Sequence, residues 1–96
     1  MQYYPAVTTG IRAVISERFS GAVPTLKDVD TIHGDFEMAE YLLWMLEELQ
    51  KFQGPELMGR RGRWIGYIHQ GCERLGIITN AENRRLTKQD VADKKE

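Results

Sequence analysis

Three groups of side chains in this 96-residue sequence are able to bind or react. The first is Arg60, Arg63, Tyr67 and Arg74, whose spacing places them along one side of a helix. Guanidinium forks take carboxylates or phosphates bidentately, and a tyrosine between them adds a stacking surface. Arg84, Arg85 and Lys88 extend this stripe if the last helix folds alongside. The competing reading is a solvated face balanced by Glu56, Glu73 and Glu82. The second group is the run from Asp28 to Asp35, which gathers Asp28, Asp30, His33 and Asp35. A calcium loop needs an oxygen ligand where Ile32 stands, and helix capping accounts for Asp28 and Asp35. The third group is His69 and Cys72, a base and a nucleophile three residues apart. Cys72 falls on an apolar arc, where a free thiol behaves as a small hydrophobe, and no Asn or Asp is placed to orient His69. No phosphate loop, Gly-x-Ser-x-Gly or His-Glu-x-x-His motif occurs. The sequence therefore predicts a binding protein without catalytic residues, metal or cofactor.

Charge and composition narrow the partners. Lys and Arg number 13 against 14 Asp and Glu, a net charge of -1, which argues against capture of polyanions by overall charge while leaving a local basic face open. The apolar fraction of 42% suits a soluble globule. No apolar run approaches the ~20 residues of a membrane span, and MQYYPAVTTG lacks the basic region of a secretory signal. The single cysteine precludes an internal disulfide or a multi-cysteine zinc site. These features predict a cytoplasmic protein with no membrane partner. Residues 1–88 read as one helical domain and 89–96 as a charged, flexible tail.

The elements that must position these groups are helical throughout. Ile11, Val14, Ile15 and Phe19 mark a helix from Thr9 to Phe19, capped by Thr8 or Thr9 and ended by Gly21. Pro24-Thr25-Leu26-Lys27-Asp28 resembles a capped start, with Leu26, Val29 and Ile32 sharing a face up to Gly34. Asp35 caps a third helix whose apolar band runs to Phe52. Trp44, Met45 and Phe52 widen that band beyond what a short domain covers, which predicts an oligomer interface and a homodimer. A fourth helix runs from about Pro55 to Leu75, with Arg61 intruding on its apolar arc. Gly59, Gly62 and Gly66 form a bare arc that receives the third helix, or else a partner protein or a flat ligand, unless the helix starts only near Gly59 or Arg61. Gly76 ends it, and Thr79-Asn-Ala-Glu82 opens a short helix through Leu86. The sum is an all-α bundle of four to five helices with short connections.

The stretch Gly62-Arg-Trp-Ile-Gly-Tyr-Ile-His69, with Leu75-Gly76-Ile-Ile-Thr-Asn80-Ala-Glu-Asn-Arg84 after it, resembles the C-terminal part of small accessory proteins of tailed bacteriophages and prophages. That resemblance implies stoichiometric binding to a host protein, for instance inhibition of a defence system such as CRISPR–Cas, and it carries over no catalytic residue. Two alternatives stay open: nucleic-acid or nucleotide binding by the Arg60, Arg63, Tyr67, Arg74 face, and a homo-oligomeric assembly role.

Overall fold

The first helix, α1, starts earlier than its apolar spacing suggests, because Pro5 presets the helical φ and needs no N–H partner at the first position. In the computed structural model, which describes residues 3–78 and 80–94, α1 spans Pro5–Arg18. Thr8 and Thr9 lie inside it and cap nothing. The capping acceptor comes instead from the far end of the chain: Asp90 Oδ1 accepts the Ala6 N–H at 2.8 Å and Oδ2 accepts the Val7 N–H at 3.1 Å. Tyr4, at φ 50°, holds the left-handed conformation just before the proline, a strained position for a residue with a side chain. Tyr3 fixes this approach by exchanging hydrogen bonds with the Gln50 side chain, 2.6 Å to Oε1 and 2.8 Å from Nε2.

The helix expected from Pro24 to Ile32 does not form. That segment has no regular structure except for one 3-10 turn, Val29–Thr31. The Asp28 carboxylate accepts the Asp30 N–H at 3.1 Å, and its carbonyl accepts the Thr31 hydroxyl at 2.8 Å. These local bonds offer the backbone an alternative to helix. Glu40 supplies the rest. Its carboxylate accepts the Val23 N–H at 3.1 Å and pairs with Lys27 at 3.3 Å, while its carbonyl accepts the Thr25 N–H at 3.2 Å. The segment is thus laced along the next helix, with Ile32 buried and Leu26 65% exposed.

Helix α2 spans Asp35–Leu49, α3 Met58–Leu75 after a 3-10 turn Pro55–Leu57, and α4 Asn80–Lys94. Asp35 opens α2 without a side-chain capping bond, so its role reduces to charge at the positive end of the helix dipole. Gly76, at φ 65°, ends α3 in the left-handed conformation that glycine adopts freely. There the Ile77 N–H returns to the Cys72 carbonyl at 3.2 Å, and Ile77 and Ile78 fold into the core. The capping role expected of Thr79 lies outside the described residues. α4 runs through Lys94, beyond the short helix expected to end at Leu86, and Asp90 is only 1% exposed, since it caps α1.

The fold is an all-α bundle of four helices arranged as two antiparallel pairs. α2 lies against α3, with Met45 facing Trp64 and Leu42 facing Gly71. α1 lies against α4, with Ala6 facing Asp90 and Gly10 facing Leu86. Val7, Ile11 and Ile15 of α1, Leu42, Leu46 and Leu49 of α2, and Ile65, Ile68 and Cys72 of α3 fill one continuous core. Burial of this apolar surface is the main driving force, at roughly 25 cal/mol per Å². No described helix is long and apolar enough to cross a membrane.

Candidate functional site

The α3 stripe exists as its spacing predicts. Arg60, Arg63, Tyr67 and Arg74 are all exposed on one side of the helix, Tyr67 at 56%. The ion pairs formed among the described residues are Lys27–Glu40, Lys51–Glu48 and Arg85–Glu82. Among the described residues, Arg60, Arg63 and Arg74 therefore present their charge without a carboxylate ion-pair partner. Arg60 does have a neighbour of another kind, with its guanidinium 5.6 Å from the centre of the Phe52 ring.

Arg84 and Arg85 do not extend the stripe. They project from α4, which packs chiefly with α1. Arg85 forks onto Glu82, at 3.0 Å from Nε and 2.5 Å from Nη2, and borders a depression lined by Gly10, Val14, Ile77 and Leu86. That pairing holds the Glu82 carboxyl below its ordinary value. Arg84 and Lys88 are exposed on the same helix and line neither depression beside the α3 stripe.

Beside the arginines lies an aromatic face that joins α2 to α3. Trp64 is its hub, with Phe52 edge-on at 5.3 Å, Trp44 tilted at 6.1 Å and Tyr67 edge-on at 6.4 Å. Tyr41 stacks on Trp44 at 5.7 Å. The indole N–H of Trp64 donates to the Met45 carbonyl at 2.8 Å, fixing the ring's orientation. Within one chain these contacts cover part of the apolar band that suggested an oligomer: Trp44 and Phe52 are half-buried against Trp64, and Met45 is 3% exposed. Met45 is a core residue, which corrects its expected place in an interface.

Two shallow grooves flank Tyr67. One, of about 410 Å³, is lined by Met38, Tyr41, Met45, Trp64, Gly71 and Arg74 among others. The other, of about 460 Å³, lies between Phe52, Trp64 and Tyr67 on one side and Arg60 and Arg63 on the other. Neither is lined by a carboxylate.

Arg61 is the residue whose role the sequence did not disclose. It is 7% exposed, and its Nη1 donates to the carbonyls of Phe52 and Gly54, the latter at 2.9 Å. Its guanidinium also sits 4.1 Å from the centre of the Tyr3 ring. A buried charge needs this kind of compensation. Arg61 thereby ties together the segment after α2, the start of α3 and the chain leading into α1. Its position on an otherwise apolar arc was the available signal.

The bare glycine arc does not receive α2. A methyl group built on Gly62 or Gly66 meets nothing within 4 Å, and on Gly59 only the Arg63 guanidinium at 4.0 Å. Close approach of the two helices depends on Gly71, where the same methyl would lie 2.6 Å from Leu42 Cδ2 and 3.3 Å from Met38 Cε.

The reactive candidates are not assembled. Cys72 is buried, which pushes its thiol up to about 12, with Asn83 of α4 opposing the rise. Burial also lowers the His69 pKa, favouring a neutral imidazole. No group of three or more His, Cys, Asp or Glu side chains able to hold a metal occurs among the described residues. Asp28 is engaged in its turn. No family model, curated protein or solved structure matches the chain.

Proposed function

We propose that this chain is a stoichiometric binding protein that engages a host protein through the α2–α3 face, in the manner of a phage accessory inhibitor or modulator. The observation that carries this reading is the pairing of an aromatic face with three arginines that have no carboxylate ion-pair partner among the described residues. Arginine and aromatic side chains dominate the energetics of protein interfaces when an incoming surface desolvates them. Half-buried rings held edge-on to one another lose little freedom on binding, so more of the contact energy appears as affinity. The segment that resembles phage accessory proteins, from Gly62 to His69, forms much of this face. Inhibition of a defence system such as CRISPR–Cas is the specific form of the reading that the resemblance implies.

A nucleic-acid role has less support. Three cations neutralise few phosphates, and counterion release scales with their number. The rings also contact one another and do not stand free as stacking platforms.

Affinity capture from a bacterial host lysate, with and without nuclease, tests the reading. Wild type retains a protein in both arms. Arg60→Glu, Arg63→Glu and Arg74→Glu together abolish that retention while the helical circular dichroism is unchanged. Equal capture by the triple variant overturns it.

A further inference from the structure

We infer that the occupant of the α2–α3 face is an acidic amphipathic helix, which sets two apolar side chains on either side of Tyr67 and its carboxylates against Arg60, Arg63 and Arg74. This rests on the protein-binding reading and specifies the partner's chemistry.

Four observations converge on it. The face is built from two helices whose backbone bonds are internal, and the described residues include no strand. A partner therefore finds no unpaired main-chain edge to extend, and recognition falls to side chains. A helix satisfies its own backbone and suits such a surface, in the way amphipathic helices lie in hydrophobic grooves. Next, the apolar ground is divided. Tyr67 stands between the groove floored by Met38, Met45 and Gly71 and the one walled by Phe52 and Trp64, so the partner needs separate anchors. A helix spaced at i, i+3 and i+7 provides them on one side.

Charge then sets the sign. Both grooves carry arginine and neither is lined by an acid, so a basic or neutral helix forfeits the pairing that bidentate guanidinium–carboxylate contacts supply. Finally, length matches. At 1.5 Å per residue, the stripe from Arg60 to Arg74 runs about 21 Å, the span of about four helical turns. Gly71 shapes this ground, since a methyl there would press on the buried Leu42 and on Met38, which lines the groove.

The test uses the full chain and a fluorescein-labelled four-turn peptide with leucines at i, i+3 and i+7 and glutamates beside them. Two further probes are the same peptide with lysine for glutamate and a short oligodeoxythymidine. Anisotropy titration is expected to show saturable 1:1 binding of the acidic peptide, weakened about 100-fold by the triple Arg→Glu variant and about 10-fold by Tyr67→Ala. The triple Arg→Gln variant, which introduces no repulsion, is expected to lose at least 10-fold. Equal binding of the lysine peptide, or binding of the oligonucleotide alone, overturns the inference. Self-association of wild type that is lost in the triple Arg→Glu variant, without peptide binding, assigns the face to a second copy and also overturns it. If no peptide binds while lysate capture still depends on the three arginines, this inference fails and the protein-binding reading stands. If that capture is also independent of them, both fail.

Discussion

Asp90, near the end of α4, accepts the backbone N–H of Val7 in the first turn of α1 at 3.1 Å, and its other oxygen takes the neighbouring Ala6 N–H at 2.8 Å. The two residues lie 83 positions apart in the sequence. The first helix is thus capped by the last, a long-range substitute for the local Ser, Thr or Asp that usually performs this task.

Asp90→Ala removes a charged acceptor from one buried and one partly buried donor. The expected loss is about 1–3 kcal/mol of unfolding free energy, read as a lower denaturant midpoint. Asp90→Asn is expected to lose less, because one acceptor oxygen survives. Unchanged midpoints for both variants contradict the capping role.

The glycines of α3 divide into two kinds. Gly62→Ala and Gly66→Ala place a methyl in open space on a helical backbone, and each is expected to raise stability by about 0.5–1 kcal/mol. Gly71→Ala drives a methyl against Leu42 and Met38 and is expected to lower stability by about 1–3 kcal/mol. Thermal unfolding of the three single variants checks the order.

The arginines of α3 divide likewise. Arg61→Ala strands the Phe52 and Gly54 carbonyls and uncovers Tyr3, for an expected loss of about 2 kcal/mol. Alanine at Arg60, Arg63 or Arg74 is expected to change stability by no more than about 0.5 kcal/mol, as is usual for surface sites. A binding assay should show the reverse ranking. If Arg63→Ala unfolds the protein as readily as Arg61→Ala, its assignment to the contact surface is wrong.

What the sequence disclosed and withheld follows from the range of the interactions. Helices α2 and α3 were legible because their periodicity is strong and Gly76 is a local stop. The exposed side of α3 that Arg60, Arg63, Tyr67 and Arg74 share was legible from helical spacing alone. The segment from Pro24 to Ile32 misled, because its apolar spacing suits a helix while Glu40, from the next element, bonds Val23 and Lys27 and draws the chain out. The roles of Asp90 and Arg61 could not be read, since their partners lie far along the sequence or on backbone carbonyls. Met45 looked like surplus apolar surface because nothing in the pattern shows that Trp64 and its neighbours cover α2.

Cys72 gives a prediction in pH. Its thiol is raised in the folded state from 9.0 to about 12 by burial, so the folded form holds the proton more tightly than the unfolded form. The associated stability is complete below pH 9 and is lost as pH climbs toward 12. Near pH 8 an aromatic disulfide reagent is expected to label the native protein far more slowly than the protein in denaturant. Equal rates contradict the buried placement.

Glu40 predicts the opposite trend in acid. The Val23 N–H, with help from Lys27, holds its carboxyl below the ordinary value. Its contribution is present above the unfolded pKa and is lost as pH falls through the folded one. Faster amide exchange of Val23 and Thr25 on acidification than neutral-pH extrapolation gives is the expected sign. Glu40→Gln should reproduce it at neutral pH.

The antiparallel placement of α1 on α4 bears on how the molecule can be rewired. Because Ala6 and Asp90 touch, a short glycine-rich bridge can join the two outer helices, and the polypeptide can be reopened in the exposed stretch around Gly21. A permutant of that design would turn the α2–α3 hairpin into the leading half of the gene product while leaving its grooves untouched.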